Sequence, residues 1–321
     1  MDVSIIIVNY NTKDLLKDCI RSIKNTTTDL QYEIIVSDNK SSDVSSEMLK
    51  TEYKDVICLE NEKNGGFAYA NNKGIDIAKG KYIFLLNSDT IILKKCIYNM
   101  YIYMEDNKEI GILGPKLLNY DLSDQTSVFA YPTLFKEFAS IFEIKKILNN
   151  AILKKFILKF SNVFLPNDVN QYMKNFKENR DIEKVEVLVG AAMFIRREVI
   201  NDVGGLDDSY FMYYEEIDYC LNIAKHGWTC VFYPYSEIIH LIGQSSKKVS
   251  YVTFLARYES MIHYFEKNHG KVYKYIVKAI IITGLSYRYL RDFFKWKFNK
   301  NKSFLNNSKI YKDTIKMVST K

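Results

Sequence analysis

Hydrophobic positions in the first ninety residues fall into short unbroken runs separated by amphipathic stretches. Val3-Ser-Ile-Ile-Ile-Val-Asn9 is a β-branched run without helical spacing and predicts a strand buried on both faces. It ends in Asn9-Tyr10-Asn11-Thr12. Leu15, Leu16, Cys19, Ile20 and Ile23 then recur at helical spacing, with Asn11 or Thr12 as the expected cap. Tyr32–Ser37 and Val56–Leu59 predict further strands, Phe67–Ala78 a helix opened by Gly65-Gly66, and Lys81–Leu86 a fourth strand. Strands and helices alternating over short connections imply an α/β fold, with a mostly parallel central sheet and helices on both faces.

The polar residues that end these runs are the first candidates for chemistry. Asn9 to Asn11, Asp38 to Asp43 and Asn87 to Thr90 follow the first, second and fourth strands, so a parallel sheet places them along one edge, where α/β folds bind ligands. Asn87-Ser88-Asp89-Thr90 alone reads as an Asx turn. On the shared edge, Asn87 and Asp89 point the same way from an extended backbone and offer oxygen ligands suited to Mg2+ or Mn2+. Asp38 is placed to accept from a ribose or base, whereas Ser41, Ser42 and Asp43 suit a helix cap. Gly65-Gly66, after Asn64, allows close approach of a phosphate or sugar to a helix N-terminus.

Beyond the fourth strand, Ile110–Pro115 predicts another strand, with Leu117–Ala130 pairing nearby. Residues 132–180 break the alternation with a basic, apolar helical pattern that includes Phe135, Phe138, Lys145, Lys146, Leu148, Ile152 and Phe156. It reads equally as a helical subdomain on the sheet or as a surface for a lipid-linked substrate. Val185–Arg196 predicts a strand, with small residues at Gly190, Ala191 and Ala192. After Gly204-Gly-Leu-Asp207, the acids Glu215, Glu216 and Asp218 lie among aromatic neighbours at a helix start. The dipole explains one or two of them; the aromatic setting suggests a pocket in which a carboxylate serves as general base. Trp228–Phe232 and Ile238–His240 predict two short strands. His240 would give the Asn87/Asp89 site a third ligand. Gly243–Ser246 reads as a flexible loop able to close over phosphates.

Charge and composition narrow the partners. Net charge is +7, yet Lys271–Lys302 alone holds nine Lys or Arg against Asp292, interleaved with Tyr287, Tyr289, Phe293, Phe294 and Trp296. Such a tail suits peripheral contact with an anionic membrane; no nucleic-acid module accompanies it. Five scattered cysteines without a Cys-x-x-Cys pair argue against a disulfide framework or zinc and fit a cytoplasmic protein. Neither a secretory leader nor an apolar run long enough to cross a bilayer is expected.

Taken together, these motifs resemble the family 2 inverting glycosyltransferases with a GT-A (nucleotide-diphospho-sugar transferase) fold, in particular the rhamnosyltransferase-like members that build surface polysaccharides. The carriers are Val3–Asn11, Asp38-Asn39 with Ser41–Asp43, Asn64–Ala68 with Asn71, Asn72 and Gly74, Leu86–Asp89, Gly190, Gly204–Asp207, Phe211–Asp218, Gly227-Trp228 and His240. The resemblance implies transfer of a sugar from a nucleoside diphosphate donor to a glycan or lipid-linked glycan, assisted by Mg2+ or Mn2+. It places Asn9, Asn11, Asp38, Asn64, Gly65, Gly66, Asn71, Asn87, Ser88 and Gly190 against the donor. Asp89, Asn87 and His240 would hold the metal. Glu216 would act as base, with Glu215 and Asp218 shaping the acceptor site. Asn87 and Glu216 stand where the family more often has Asp, and Asn222 where it has a basic residue.

The implied organisation is a GT-A domain over 1–265, carrying the helical insertion of 132–180, and C-terminal helices over 266–321. The expected place of work is the cytoplasmic face of a membrane. Two other classes compete. A sugar nucleotidyltransferase would need a Gly-rich, Arg-containing loop after the first strand, which Asn9-Tyr10-Asn11 is not. A non-catalytic partner protein of the same fold would be favoured by loss of Asp89, or of both Glu215 and Glu216; all three are present.

Overall fold

The computed structural model describes residues 1–144, 181–241, 250–299 and 302–320. The greater part of the expected insertion, Lys145 to Phe156 included, and the loop Gly243–Ser246 lie outside them. In chain order the elements begin β1 (Val3–Asn9), α1 (Lys13–Thr26), β2 (Tyr32–Asp38), α2 (Ser45–Glu52), β3 (Ile57–Glu60), α3 (Gly66–Ile77), β4 (Tyr82–Asn87) and β5 (Thr90–Ile92). Next come α4 (Cys96–Asp106), β6 (Ile110–Leu118), β7 (Asp124–Gln125), β8 (Val128–Phe129), α5 (Leu134–Ile141), β9 (Glu183–Val185), β10 (Val187–Leu188) and β11 (Ala192–Arg196). The last are α6 (Arg197–Val203), α7 (Glu215–Lys225), β12 (Thr229–His240), α8 (Ser250–His269), α9 (Lys271–Asn299) and α10 (Lys302–Thr320). They group into two units: the described residues up to 131 with those from 181 to 250, and those from 132 to 144 with those after 250.

The first unit is built on a sheet of order β3-β2-β1-β4-β11-β6-β12-β5. β3, β2, β1, β4, β6 and β12 run one way, while β11 and β5 run against them. Alternation along β1 feeds two cores: Ile5 and Ile7 pack towards α1 and α4, and Ile6 packs on the opposite face with Ala68 and Ile75 of α3. Each fully buried isoleucine of this strand contributes roughly 1.5–3 kcal/mol.

Local departures from the sequence pattern have identifiable causes. Val185–Arg196 is three short strands, because Glu186 leaves the ladder to accept from the Tyr131 backbone N–H (2.5 Å) and Val189 donates to Ser127 O (3.0 Å). The two short strands expected between Trp228 and His240 are one, β12, with a register shift between Tyr233 and Glu237. Thr12 stands at the N-cap of α1 without capping it; Asp43 Oδ2 accepts from Lys13 N instead (2.8 Å), while its Oδ1 accepts from Ser45 N at the start of α2 (3.2 Å).

At the end of the sheet away from the polar edge, Arg196 is buried. It donates from Nε to Ile110 O (3.0 Å), from Nη1 to Tyr82 Oη (3.1 Å) and from Nη2 to Met104 O (2.7 Å) and Asn107 O (3.1 Å). Tyr82 in turn donates to Glu105 (2.8 Å). Burial opposes charge on Glu105, but hydrogen bonds from Lys81, Lys108 and Tyr82 outweigh it and bring its pKa down to about 2.

In the second unit, α9 buries Val277, Ile281 and Leu285. Arg288 donates to the carbonyls of Ile141 (2.6 Å) and Ser140 (2.8 Å) where α5 ends. Arg291 pairs with Glu143 and Asp292. Two of the tail's cations therefore do structural work within this unit. No helix among the described residues is long and apolar enough to cross a membrane.

Because buried Arg196 satisfies three backbone carbonyls, Arg196→Met should cost on the order of 3 kcal/mol. Urea unfolding followed by circular dichroism would show it as a lower midpoint with an unchanged slope.

Candidate active site

The register of β1 brings the polar strand ends together. Asn9 lies opposite Asp38 on one side, and Val8 opposite Asn87 on the other. Asn9 Nδ2 donates to Asp38 Oδ1 (2.6 Å) and to Ser41 Oγ (3.1 Å), while Asn9 Oδ1 accepts from Thr12 Oγ1 (2.7 Å). Thr12 Oγ1 also lies 2.8 Å from Ser88 Oγ. Ser41 donates to Asp38 twice, from N to Oδ2 (2.8 Å) and from Oγ to Oδ1 (2.6 Å). Asp38 thus spends three of its roughly four acceptor directions inside the protein, leaving one on Oδ2. Asn11, with φ +56°, turns its side chain to accept from Ser42 N (2.7 Å). The β1 and β2 loops form one hydrogen-bonded floor.

Beside this floor, Asn87, Asp89 and His240 converge. β12 pairs with β5 so that His240 lies opposite Thr90. His240 Nε2 stands 3.4 Å from Asp89 Oδ1 and 3.5 Å from Asn87 Nδ2. Asp89 is buried and His240 half-buried. Among the described residues no group of three His, Cys, Asp or Glu side chains could hold a metal ion. Here a carboxylate, an imidazole and a carboxamide meet, a donor set that fits Mg2+ or Mn2+ when substrate phosphates complete the shell.

The other wall comes from α3 and the loop before α7. Gly66 has φ +91°, and a Cβ there would sit 2.0 Å from Phe211 O, so only glycine admits that backbone. Phe67 N donates to Phe211 O (3.1 Å), Asn64 Oδ1 accepts from Gly66 N (3.1 Å), and Asn39 Nδ2 donates to Gly66 O (3.0 Å). Asn71 is fully buried, donating to Phe67 O (3.0 Å) within the helix. Asn72, outside the expected site set, exchanges two hydrogen bonds with Leu206 (2.7 and 2.9 Å) and pins the Gly204–Asp207 turn to α3. No local pattern signals a partner 134 residues away.

Tyr213 and Tyr214 both take positive φ (+68° and +70°), an uncommon conformation for bulky residues, and deliver Glu215 and Glu216 into the first turn of α7. Asp218 N donates to Tyr214 O (2.8 Å), and Asp218 is itself buried. Glu215 is buried and Glu216 half-buried, and each has an Oε2 that is shut from solvent and makes no hydrogen bond. Burial pushes the Glu215 carboxyl well above its ordinary range, and the adjacent Glu216 charge pushes it further; burial likewise raises Glu216. Gly190 bridges the two walls. A Cβ on it would lie 3.4 Å from Glu216 Cβ and 3.7 Å from the Phe67 ring, and Ala191 O accepts from Asn87 N (3.0 Å).

The family model for glycosyl transferase family 2 matches residues 4–204. An uncharacterized glycosyltransferase of Methanocaldococcus jannaschii is 39% identical over 116 residues, which is 35% of this chain and 40% of that protein; the chain spans less than half its length. The rhamnosyltransferase WbbL of Escherichia coli is 25% identical over 83% of this chain and 93% of its own. The crystal structure of GalNAc-T7 with UDP, GalNAc and Mn2+ superposes with a TM-score of 0.55 at 16% identity, covering 75% of this chain and 43% of that one. The chain has the GT-A fold expected from its sequence.

Raised carboxyl pKa values make stability depend on pH. The unfolded chain releases the Glu215 proton near its ordinary 4.5, whereas the folded protein retains it, so stability falls as pH rises from there through the folded value. Glu215→Gln should therefore melt a few degrees higher than wild type near neutral pH and no higher at about pH 4. Differential scanning calorimetry at both pH values would show it.

Proposed function

Since the chain belongs to glycosyl transferase family 2, we propose that it moves a sugar such as rhamnose, with inversion, from a nucleoside diphosphate donor to a hydroxyl of a glycan or lipid-linked glycan during surface polysaccharide biosynthesis. The observation that carries this reading is the Gly190-Ala191 bridge. It joins a cation-suited cluster to a pair of buried, underbonded carboxyls across a position that has no side chain. Likeness to a rhamnosyltransferase supports the choice of sugar.

In this reading the donor lies over the floor made by Asn9, Asn11, Asp38 and Ser88, with Asn64, Gly65, Gly66 and Asn71 at the start of α3 on its other side. Asp89, Asn87 and His240 would hold Mg2+ or Mn2+, which offsets charge on the departing diphosphate. Glu216, beside Gly190, takes the proton of the acceptor hydroxyl as that oxygen attacks the sugar carbon. The carbon–diphosphate bond breaks on the opposite face, and its electron pair leaves with the phosphate. Burial strengthens Glu216 as a base by raising its proton affinity, so turnover rises with pH through that raised pKa. Glu215, more deeply buried, keeps its proton, and the pair carries one charge rather than two. Asp218 lines the acceptor side.

Calorimetric titration with Mn2+ and a panel of nucleoside diphosphates should show metal-dependent binding of one diphosphate, lost in Asp89→Ala. Glu216→Gln should keep that binding and lose about 10²–10⁴-fold in kcat. Absence of diphosphate binding by folded wild type would sink the reading.

Peripheral contact with the cytoplasmic face of a membrane is proposed for the second unit. Tyr287, Leu290, Phe294 and Phe298 recur along α9 at helical spacing with exposures of 44%, 53%, 54% and 80%, near Lys295 and Lys297. Sedimentation with anionic vesicles should capture the protein, with salt and the double change Leu290→Ser, Phe294→Ser each reducing capture; equal capture by neutral vesicles would contradict an electrostatic part.

A further inference from the structure

Beside the Asn87–Asp89–His240 cluster, the β6–β7 hairpin carries a chain of side-chain hydrogen bonds whose direction is fixed at one end. Asp121 Oδ1 accepts from Ser123 Oγ (2.6 Å) and Ser123 N (3.1 Å). With its proton committed to a carboxylate, Ser123 Oγ accepts from Asn119 Nδ2 (2.9 Å), which also donates to Asp124 O (3.3 Å). Asn119 therefore turns its oxygen towards Gln125, whose Nε2 donates to Asn119 Oδ1 (3.0 Å) and to His240 O (3.0 Å). That leaves Gln125 Oε1 facing His240 Nδ1 at 2.7 Å. A carboxamide oxygen only accepts, so Nδ1 carries a proton, and in the neutral ring Nε2, which faces Asp89, carries the lone pair.

We propose that Gln125 is a positioning residue that locks His240 in the Nδ1-protonated tautomer, so that Nε2 presents its lone pair beside Asp89 to a divalent cation. Histidine ligands to metals generally donate their second ring N–H to such a partner, and losing it typically costs about 10–100-fold in affinity. Gln125 lies 115 residues from His240, and its type and place in the chain give no sign of the pairing. The inference rests on the metal reading above, but its central claim, the tautomer, can be measured without metal.

Nitrogen NMR of histidine-labelled, metal-free protein, with His240→Ala identifying the resonances, should show Nδ1 protonated in wild type and a mixture of tautomers in Gln125→Leu. In Mn2+ titrations by calorimetry, Gln125→Leu should bind about 10–100-fold more weakly. Gln125→Glu, which restores the acceptor but not the donors, should recover most of the affinity; a role confined to packing the hairpin would leave it as weak as Gln125→Leu. Should Gln125→Leu fail to fold, Gln125→Met, which fills the same space and likewise offers Nδ1 no oxygen, carries the same expectation. A proton on Nε2 in metal-free wild type would overturn the inference. So would undiminished Mn2+ binding by Gln125→Leu alongside its loss in His240→Ala, which leaves the metal site standing. Undiminished binding by both Asp89→Ala and His240→Ala would remove the metal reading, and the inference with it.

Discussion

Parallel pairing of β1 with both β2 and β4 is the constraint on which the rest depends. Its register sets Asn9 opposite Asp38 and Val8 opposite Asn87, so three strands end at one height and their polar residues meet. A slip of one residue would turn Ile5 and Ile7 to the opposite core and Ile6 to theirs, so two buried faces enforce the register together. The hydrogen bonds among Asn9, Asp38, Ser41 and Thr12 follow from that alignment.

Stability is given up in the second wall. Consecutive tyrosines at positive φ and two buried carboxyl oxygens without hydrogen bonds would each weaken an ordinary helix start. They persist because Gly66 locks the preceding loop to α3 and Asn72 holds the Gly204–Asp207 turn. A strained, underbonded acid pair held by such clamps suits the general base proposed above. The helix dipole, which accounts for acids in a first turn, does not account for burying them.

The first half of the sheet was legible because β1, β2 and β4 are short apolar-rich runs that stop at Asn or Asp, and the strand-end clusters were legible for the same reason. His240 could be tied to Asn87 and Asp89 by ligand chemistry and family resemblance but not by local pattern, since the approach depends on β12 pairing with β5. Contacts between distant segments left no trace: Asn72 with Leu206, Gln125 with His240, and Asp43 capping α1 in place of Thr12. Periodicity records which face of an element is buried and is silent about which polar side chains meet across turns. The charged tail was partly legible for a related reason: a count of Lys and Arg does not reveal that Arg288 and Arg291 serve the end of α5.

The position of β11 governs how the chain must fold as it is made. β4 and β6 are near in sequence yet never pair; β11, some hundred residues later than β4, fills the gap between them in antiparallel sense. Until Ala192–Arg196 has been synthesised, the nascent sheet ends at an open β4 edge whose side chains from Tyr82 to Leu86 are wholly buried in the finished protein. Such an edge recruits other strands, including those of neighbouring nascent chains. The carboxyl pair and His240 come later still, so the candidate site is completed only after the segment that covers this edge has been made.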